Sequence, residues 1–227
     1  MLRIAIVTGT RPGRLNDAVA RWILDLARNR PDVHVSRIDV GAHGLPLPPM
    51  NAALRPGRDS CEHVRAWSRT VASFDGFVFV TPETVVSSSA TLRSAIDLVA
   101  DDWRDKAAGF VGYGAQGAAR AVEDLRQALA GVGAATVAPP VSLTLVPQPW
   151  RRLSFIPNAR HAPELHVLLE RVVTWASALK SSRMALTATS GLALADIGKA
   201  PTSRADVKAE TRALEHATAP IRKARNR

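Results

Sequence analysis

Cysteine is almost missing from this chain of 227 residues, where Cys61 stands alone. One thiol closes no internal disulfide, and no Cys/His cluster has the spacing of a metal site; Cys61 reads as a small packing residue on a helix. Aromatic residues make up 5% of the chain, with Tyr113 the single tyrosine. No apolar run approaches the roughly 18 residues a membrane-spanning helix needs, so no membrane span is expected. The opening "MLRIAIVTGT" has one arginine before an apolar run too short for a secretory signal, which makes the cytoplasm the expected location. The stretch Thr8–Asn16 that follows the first apolar run is neither a P-loop, since it lacks a Gly-Lys-Ser/Thr ending, nor GxGxxG, and no nucleic-acid-binding motif or internal repeat is visible in the chain. The six histidines, His34, His43, His63, His161, His166 and His216, share no ligand spacing.

What is present suits one globular domain with an appendage. Apolar residues form 46% of the chain, enough for a packed core. The formal charge of +10 is uneven, because residues 180–227 hold ten Lys/Arg against four Asp/Glu and leave +4 to residues 1–179. We therefore divide the chain into a domain over 1–180 and a basic extension over 181–227, partly helical or flexible. Ser203 and Asp206 could cap a short helix over 203–217. Nucleic acid or a lipid surface as partner of this tail is disfavoured, since its basic residues are scattered among acids.

Apolar periodicity alternates between two and 3.6 along the chain. "RIAIVT" (3–8), "VHVSRIDV" (33–40), "GFVFV" (76–80) and "GFVGYG" (109–114) read as strands. "ATVAPPVSLTLV" (135–146) holds one more, broken or followed by Pro139–Pro140. Helices are expected over 16–29, 62–73, at Leu92, Ala95, Ile96 and Val99, and at Val122, Leu125, Leu129 and Val132. A last helix carries Leu165, Leu168, Leu169, Val172, Ala176 and Leu179. Trp22, Trp67 and Trp175 read as core, and Trp150 lies in an Arg-rich loop. Residues 41–57 hold three glycines and four prolines and form a loop. Strands alternating with helices call for a parallel sheet covered on both faces, and five strands suit the flavodoxin-like order 2-1-3-4-5 in a three-layer α/β sandwich. Ligands of such sheets sit beyond the carboxyl ends of the strands, which here means the loops Thr8–Asn16, Thr81–Ala90 and Gly112–Ala119.

The first of these, "TGTRPGRLN", offers hydroxyls, two glycines, two guanidiniums and an asparagine at a helix entrance, a combination suited to phosphate. The plain alternative is a tight turn capped by Asn16. Several stretches in order resemble the NADPH-dependent FMN reductase family: "TRPGR" (10–14), "AVARW" (18–22), "DGFVFVTPE" (75–83), "LRSAIDLV" (92–99), "GYGAQGAARAVEDLRQALAGVGA" (112–134) and "VTWASALK" (173–180). The resemblance spans about residues 3 to 180. It implies a flavodoxin-like fold, FMN as cofactor, NADPH or NADH as co-substrate, a small-molecule electron acceptor and a homodimer or homotetramer. Carried over position by position, it assigns Thr8, Thr10, Arg11, Arg14 and Asn16 to the phosphate. It assigns Pro82, Glu83, Thr84 and Val85 to the flavin ring, and Tyr113, Gly114 and Gly117 to the opposite wall. No catalytic acid or base is implied.

The pattern departs in each loop. The family's Gly-Ser before Thr-Arg is Thr8-Gly9 here. Of its Pro-Glu-Tyr-Asn, "PETVVSSSATLR" (82–93) keeps Pro82-Glu83 and lacks the Tyr, the Asn and the later Pro-Gly pair, and two expected glycines are Ala115 and Ala118. These changes keep a second expectation open, in which the flavin site is degenerate and the protein is a binding or assembly module or has an altered reaction. In that case Glu83 or one of the serines 87–89 is a polar participant; a solvated or helix-capping Glu83 is the simpler reading.

Overall fold

The computed structural model describes residues 1–9, 14–28, 30–46, 58–83, 90–145 and 155–197. Among these residues six strands are present: β1 Leu2–Thr8, β2 Val33–Asp39, β3 Gly76–Pro82, β4 Ala107–Gly114, β5 Ala135–Thr136 and β6 Val141–Thr144. Five α-helices accompany them: α1 Arg14–Ala27, α2 Arg58–Ala72, α3 Ala90–Asp97, α4 Ala119–Gly131 and α5 His161–Ile197. The sheet is parallel in the order β2-β1-β3-β4-β5, and β6 also pairs with β4. The order expected from the sequence is therefore present. Its outer strand comes as two pieces, because Pro139 and Pro140 fall between them and proline has no N–H to give the ladder.

Side chains alternate across the sheet, as a period of two requires. Ala5, Val7, Phe77, Phe79, Ala108 and Phe110 face one side, where they join Trp67, Leu92, Ile96, Trp103, Leu125 and Leu129 from α2, α3, α4 and the turn between α3 and β4. Ile4, Ile6, Val78, Val80, Ala107 and Val111 face the other, against Val19 and Ile23 of α1 and Leu165, Leu168, Leu169, Val172 and Ala176 of α5. α5 comes unusually close to the strands. A Cβ on Gly109 would stand 2.7 Å from Val172, and one on Gly76 would stand 2.9 Å from Ile4 and 3.2 Å from Ala176. At the opposite edge Asp75 accepts from Arg3 N (3.0 Å) and pairs with Lys180 Nζ (2.9 Å), which fastens this helix to the amino ends of β1 and β3.

Helix starts differ from the sequence expectation. α1 begins at Arg14 and α2 at Arg58, earlier than 16 and 62. Asn158 precedes α5, and its Oδ1 accepts from Arg160 N (3.0 Å) and His161 N (3.2 Å), while His161 Nδ1 accepts from Asn158 N. His161 is thus a buried member of the cap. α5 also continues past Lys180 to Ile197. Trp175 is not core. It is 48% exposed, because Leu168, Val172 and Ala176 define the inward line of α5 and Trp175 lies to one side of it. Trp103, which no apolar periodicity marks, is wholly buried. The expected helix over 203–217 and Trp150 lie outside the described residues.

Candidate functional site

Three chain segments leave the carboxyl ends of β1, β3 and β4 side by side, since Thr8 pairs with Val80 and Pro82 with Tyr113. Thr8 is fully buried, and its hydroxyl donates to Ile38 O of β2 (3.3 Å). The next residue, Gly9, rests on α3: a Cβ there would stand 2.2 Å from Cγ and 2.4 Å from Cδ2 of Leu92. A serine at this position, as in the related pattern, would require Leu92 to withdraw. Gly9 and Leu92 therefore account for each other, and the first loop meets the helix that follows the second.

Asn16 sits within the first turn of α1, 2% exposed, and not at the cap position. Tyr113, buried at the end of β4, donates its hydroxyl to Asn16 Oδ1 (3.4 Å). Asn16 Nδ2 is buried and has no partner among the described residues. A buried amide donor without an acceptor is costly. It lies in a helix turn where unpaired N–H groups and the helix dipole already favour an anion. The site is thus short of one acceptor where the first and third segments meet, and an oxyanion would supply it. That donor set fits the phosphate end of FMN. Arg37 Nη2 and Asp17 Oδ1 pair at 2.5 Å between β2 and the same helix turn, so Asp17 is already neutralised.

Pro82 is half-buried at the end of β3. Glu83 N donates to Tyr113 O (2.7 Å), and Glu83 Oε2 accepts from Gln116 N (2.7 Å). This exposed carboxylate is neither free in solvent nor a helix cap. Gly114 lies directly against it, since a Cβ on Gly114 would stand 2.3 Å from Glu83 Cβ. Gly117, at φ +70°, is pressed on β6: its O accepts from Ser142 Oγ (3.3 Å), and a Cβ there would overlap that hydroxyl. Gly117 thus serves the packing of the turn. Ala118 holds φ +58° just before α4, the left-handed geometry for which glycine is the unstrained choice. At one of the two positions where the related pattern has glycine, alanine thus holds a backbone that favours glycine. Thr10, Arg11, Thr84, Val85 and the serines 87–89 lie outside the described residues, as does the side chain of Arg14.

The structure brings Thr8, Asn16, Pro82, Glu83, Tyr113, Gly114 and Gly117 to one edge of the sheet. Sequence reasoning missed both links between their segments, Asn16 to Tyr113 and Glu83 to Gln116. The signal available for the first was that the chain spends its one tyrosine at a strand end. Near the same edge, the turn after β2 holds His43 edge-on to Trp67 at 4.9 Å between ring centres. Burial pushes the His43 imidazole below its ordinary range, against a weaker opposing pull from Asp39. No group of His, Cys, Asp or Glu that could hold a metal ion occurs among the described residues, and no helix among them is long and apolar enough to cross a membrane.

Comparison with known proteins points one way. Residues 1–145 match the family model for NADPH-dependent FMN reductases. An NAD(P)H-dependent FMN reductase of a Nectria species is 30% identical over 146 residues, covering 61% of this chain and 73% of that protein. One from Schizosaccharomyces pombe is 28% identical over 149 residues, covering 64% and 74%. Among solved structures, FerB from Paracoccus denitrificans, a flavoenzyme NAD(P)H:(acceptor) oxidoreductase, superposes with a TM-score of 0.62 at 20% identity, covering 78% of this chain and 98% of that one. Oxidised flavodoxin 1 from Bacillus cereus gives 0.50 at 13% identity, over 76% and 97%. The last two establish the flavodoxin-like fold.

Proposed function

The chain belongs to the NADPH-dependent FMN reductase family, and from that premise we propose that it holds FMN at the carboxyl edge of the sheet and passes reducing equivalents to a small acceptor: free flavin, a quinone or an azo compound. When bound, FMN accepts hydride from NADPH or NADH and gives electrons on, so the protein's part is position and electrostatics. Asn16, with Thr10, Arg11 and Arg14, holds the phosphate, and Thr8 contributes through its backbone because its hydroxyl is committed to Ile38. Pro82, Glu83, Thr84 and Val85 run along the ring; Tyr113 and Gly114 form the facing wall, with Gly117 shaping its turn.

The observation that carries this reading is the orphaned Nδ2 of buried Asn16. Titration of the purified full chain with FMN tests it. Asn16→Ala should weaken binding about ten-fold or more, the usual scale for a hydrogen bond to a charged group. Unchanged affinity in that variant would remove Asn16 from the phosphate site; a wild-type protein that takes up no FMN would favour the degenerate module instead.

The same proposal includes a cytoplasmic protein working as a homodimer or homotetramer. Val167 and Trp175, exposed on α5, are apolar surface that a second copy would cover. Solution mass of the wild type against Trp175→Glu checks this, with dissociation expected in the variant. Residues 1–180 constitute the FMN-binding domain in this reading, with 181–227 as an extension.

A further inference from the structure

The loop between Gly114 and Gly117 is fastened from several directions. Leu145 N donates to Gly114 O (2.8 Å), Gly117 N donates to Gly114 O (3.4 Å), and Ser142 Oγ donates to Gly117 O (3.3 Å). All of these come from the loop itself or from the β6 side. Glu83 is different, because it belongs to the segment leaving β3. Its backbone N–H extends the β3–β4 ladder to Tyr113 O, and its carboxylate turns back to the Gln116 N–H at 2.7 Å. Gly114 makes the approach possible, since any Cβ there would overlap Glu83.

We propose that Glu83 is a positioning residue: its carboxylate clasps the loop after β4 to the end of β3 and fixes the separation of the two walls between which the flavin ring sits. The inference rests on the FMN reading above. It assigns Glu83 a role through Gln116, with no need for contact with the ring. The device suits this chain, whose second and third loops lack several of the glycines and the tyrosine of the related pattern. A wall shaped by a side chain-to-backbone bond needs less from the intrinsic conformation of the loop. What the clasp requires is an acceptor at this position, and a negative charge strengthens it.

The experiment is amide hydrogen exchange at Gln116 in the FMN-free full chain, joined to FMN titration, for wild type, Glu83→Ala, Glu83→Gln and Gly114→Ala. Removing the acceptor should speed Gln116 exchange about three- to ten-fold in Glu83→Ala, the lower end for a bond to a carboxylate because solvent reaches this one, with most of the protection regained in Glu83→Gln. Gly114→Ala, which displaces Glu83 without touching its charge, should behave like Glu83→Ala. FMN affinity should fall in the same order. Unchanged Gln116 exchange in Glu83→Ala overturns the clasp. Faster exchange with unaltered FMN affinity overturns the positioning role. A wild type that binds no FMN overturns the parent reading and the positioning role with it, while the exchange data still decide whether the clasp exists.

Discussion

The two faces of the sheet solve the same packing problem with opposite materials. One is filled with rings: Trp67, Phe74, Phe77, Phe79, Trp103 and Phe110 are all buried there. Phe77 meets Trp103 edge-on at 4.8 Å, and Trp103 meets Trp67 at 6.1 Å. Both indoles are also tied down, Trp67 Nε1 to Ala95 O (2.8 Å) and Trp103 Nε1 to Ile96 O (3.2 Å). The other face is aliphatic, and α5 presses Leu168, Val172 and Ala176 onto glycine positions of β3 and β4. Rings span a wide gap and give α3 and α4, which follow the second and third site loops, broad contacts. Aliphatic packing brings α5 close and leaves no room for growth. The ring face should therefore suffer from truncation and the aliphatic face from enlargement.

Trp103→Ala probes this difference most strongly. It opens a large cavity and removes the indole donor to Ile96 O, which keeps only the longer bond from Val99 N (3.4 Å), and a loss of about 3–5 kcal/mol is expected in denaturant unfolding. Gly109→Val tests the converse. Its Cβ would begin 2.7 Å from Val172, and overpacking of this kind costs about 1–3 kcal/mol. Should Val172→Ala destabilise more than Trp103→Ala, the contrast between the faces fails.

The ring face also carries a pH-sensitive border. His43 stands against Trp67 with its pKa lowered by burial. A lowered folded-state value means that the unfolded chain takes up the proton first. Stability is then full above the unfolded value of about 6.5 and declines as pH falls from there through the folded value. His43→Gln should flatten that part of the stability–pH curve, read from thermal unfolding between neutral and mildly acidic pH. The smallest effect is expected at Ala118. Relief of its positive φ by glycine is offset by the lost buried methyl and the looser unfolded chain, so Ala118→Gly should change stability by less than about 1 kcal/mol.

Much of the fold could be read from local pattern because its determinants are local. β-branched runs at 3–8 and 76–80 mark buried strands, and Leu92, Ala95, Ile96 and Val99 mark a helix; Pro139–Pro140 foretold the break between β5 and β6. Trp103 escaped notice because a single short turn, Ala100–Trp103, has no periodicity to register. Trp175 misled because the i, i+3 and i, i+4 rows of a long helix diverge, and only packing tells which row faces inward. The candidate site was legible as a place, since the carboxyl ends of β1, β3 and β4 lie side by side. Its internal bonds were not. Asn16 looks like a cap because it is short, polar and ahead of an apolar run, whereas its partner Tyr113 is 97 positions away. Glu83 and Gln116 are 33 apart and belong to no shared motif, so only the β3–β4 register brings them together.

The most direct measurement is the absorption spectrum of the purified full chain, followed by titration with FMN and anaerobic addition of NADPH or NADH. We expect saturable uptake of one FMN per chain and bleaching of the bound flavin's visible band by the reduced nicotinamide. A chain that gains no flavin spectrum at saturating FMN, or whose bound FMN neither nucleotide bleaches, would contradict the proposed oxidoreductase.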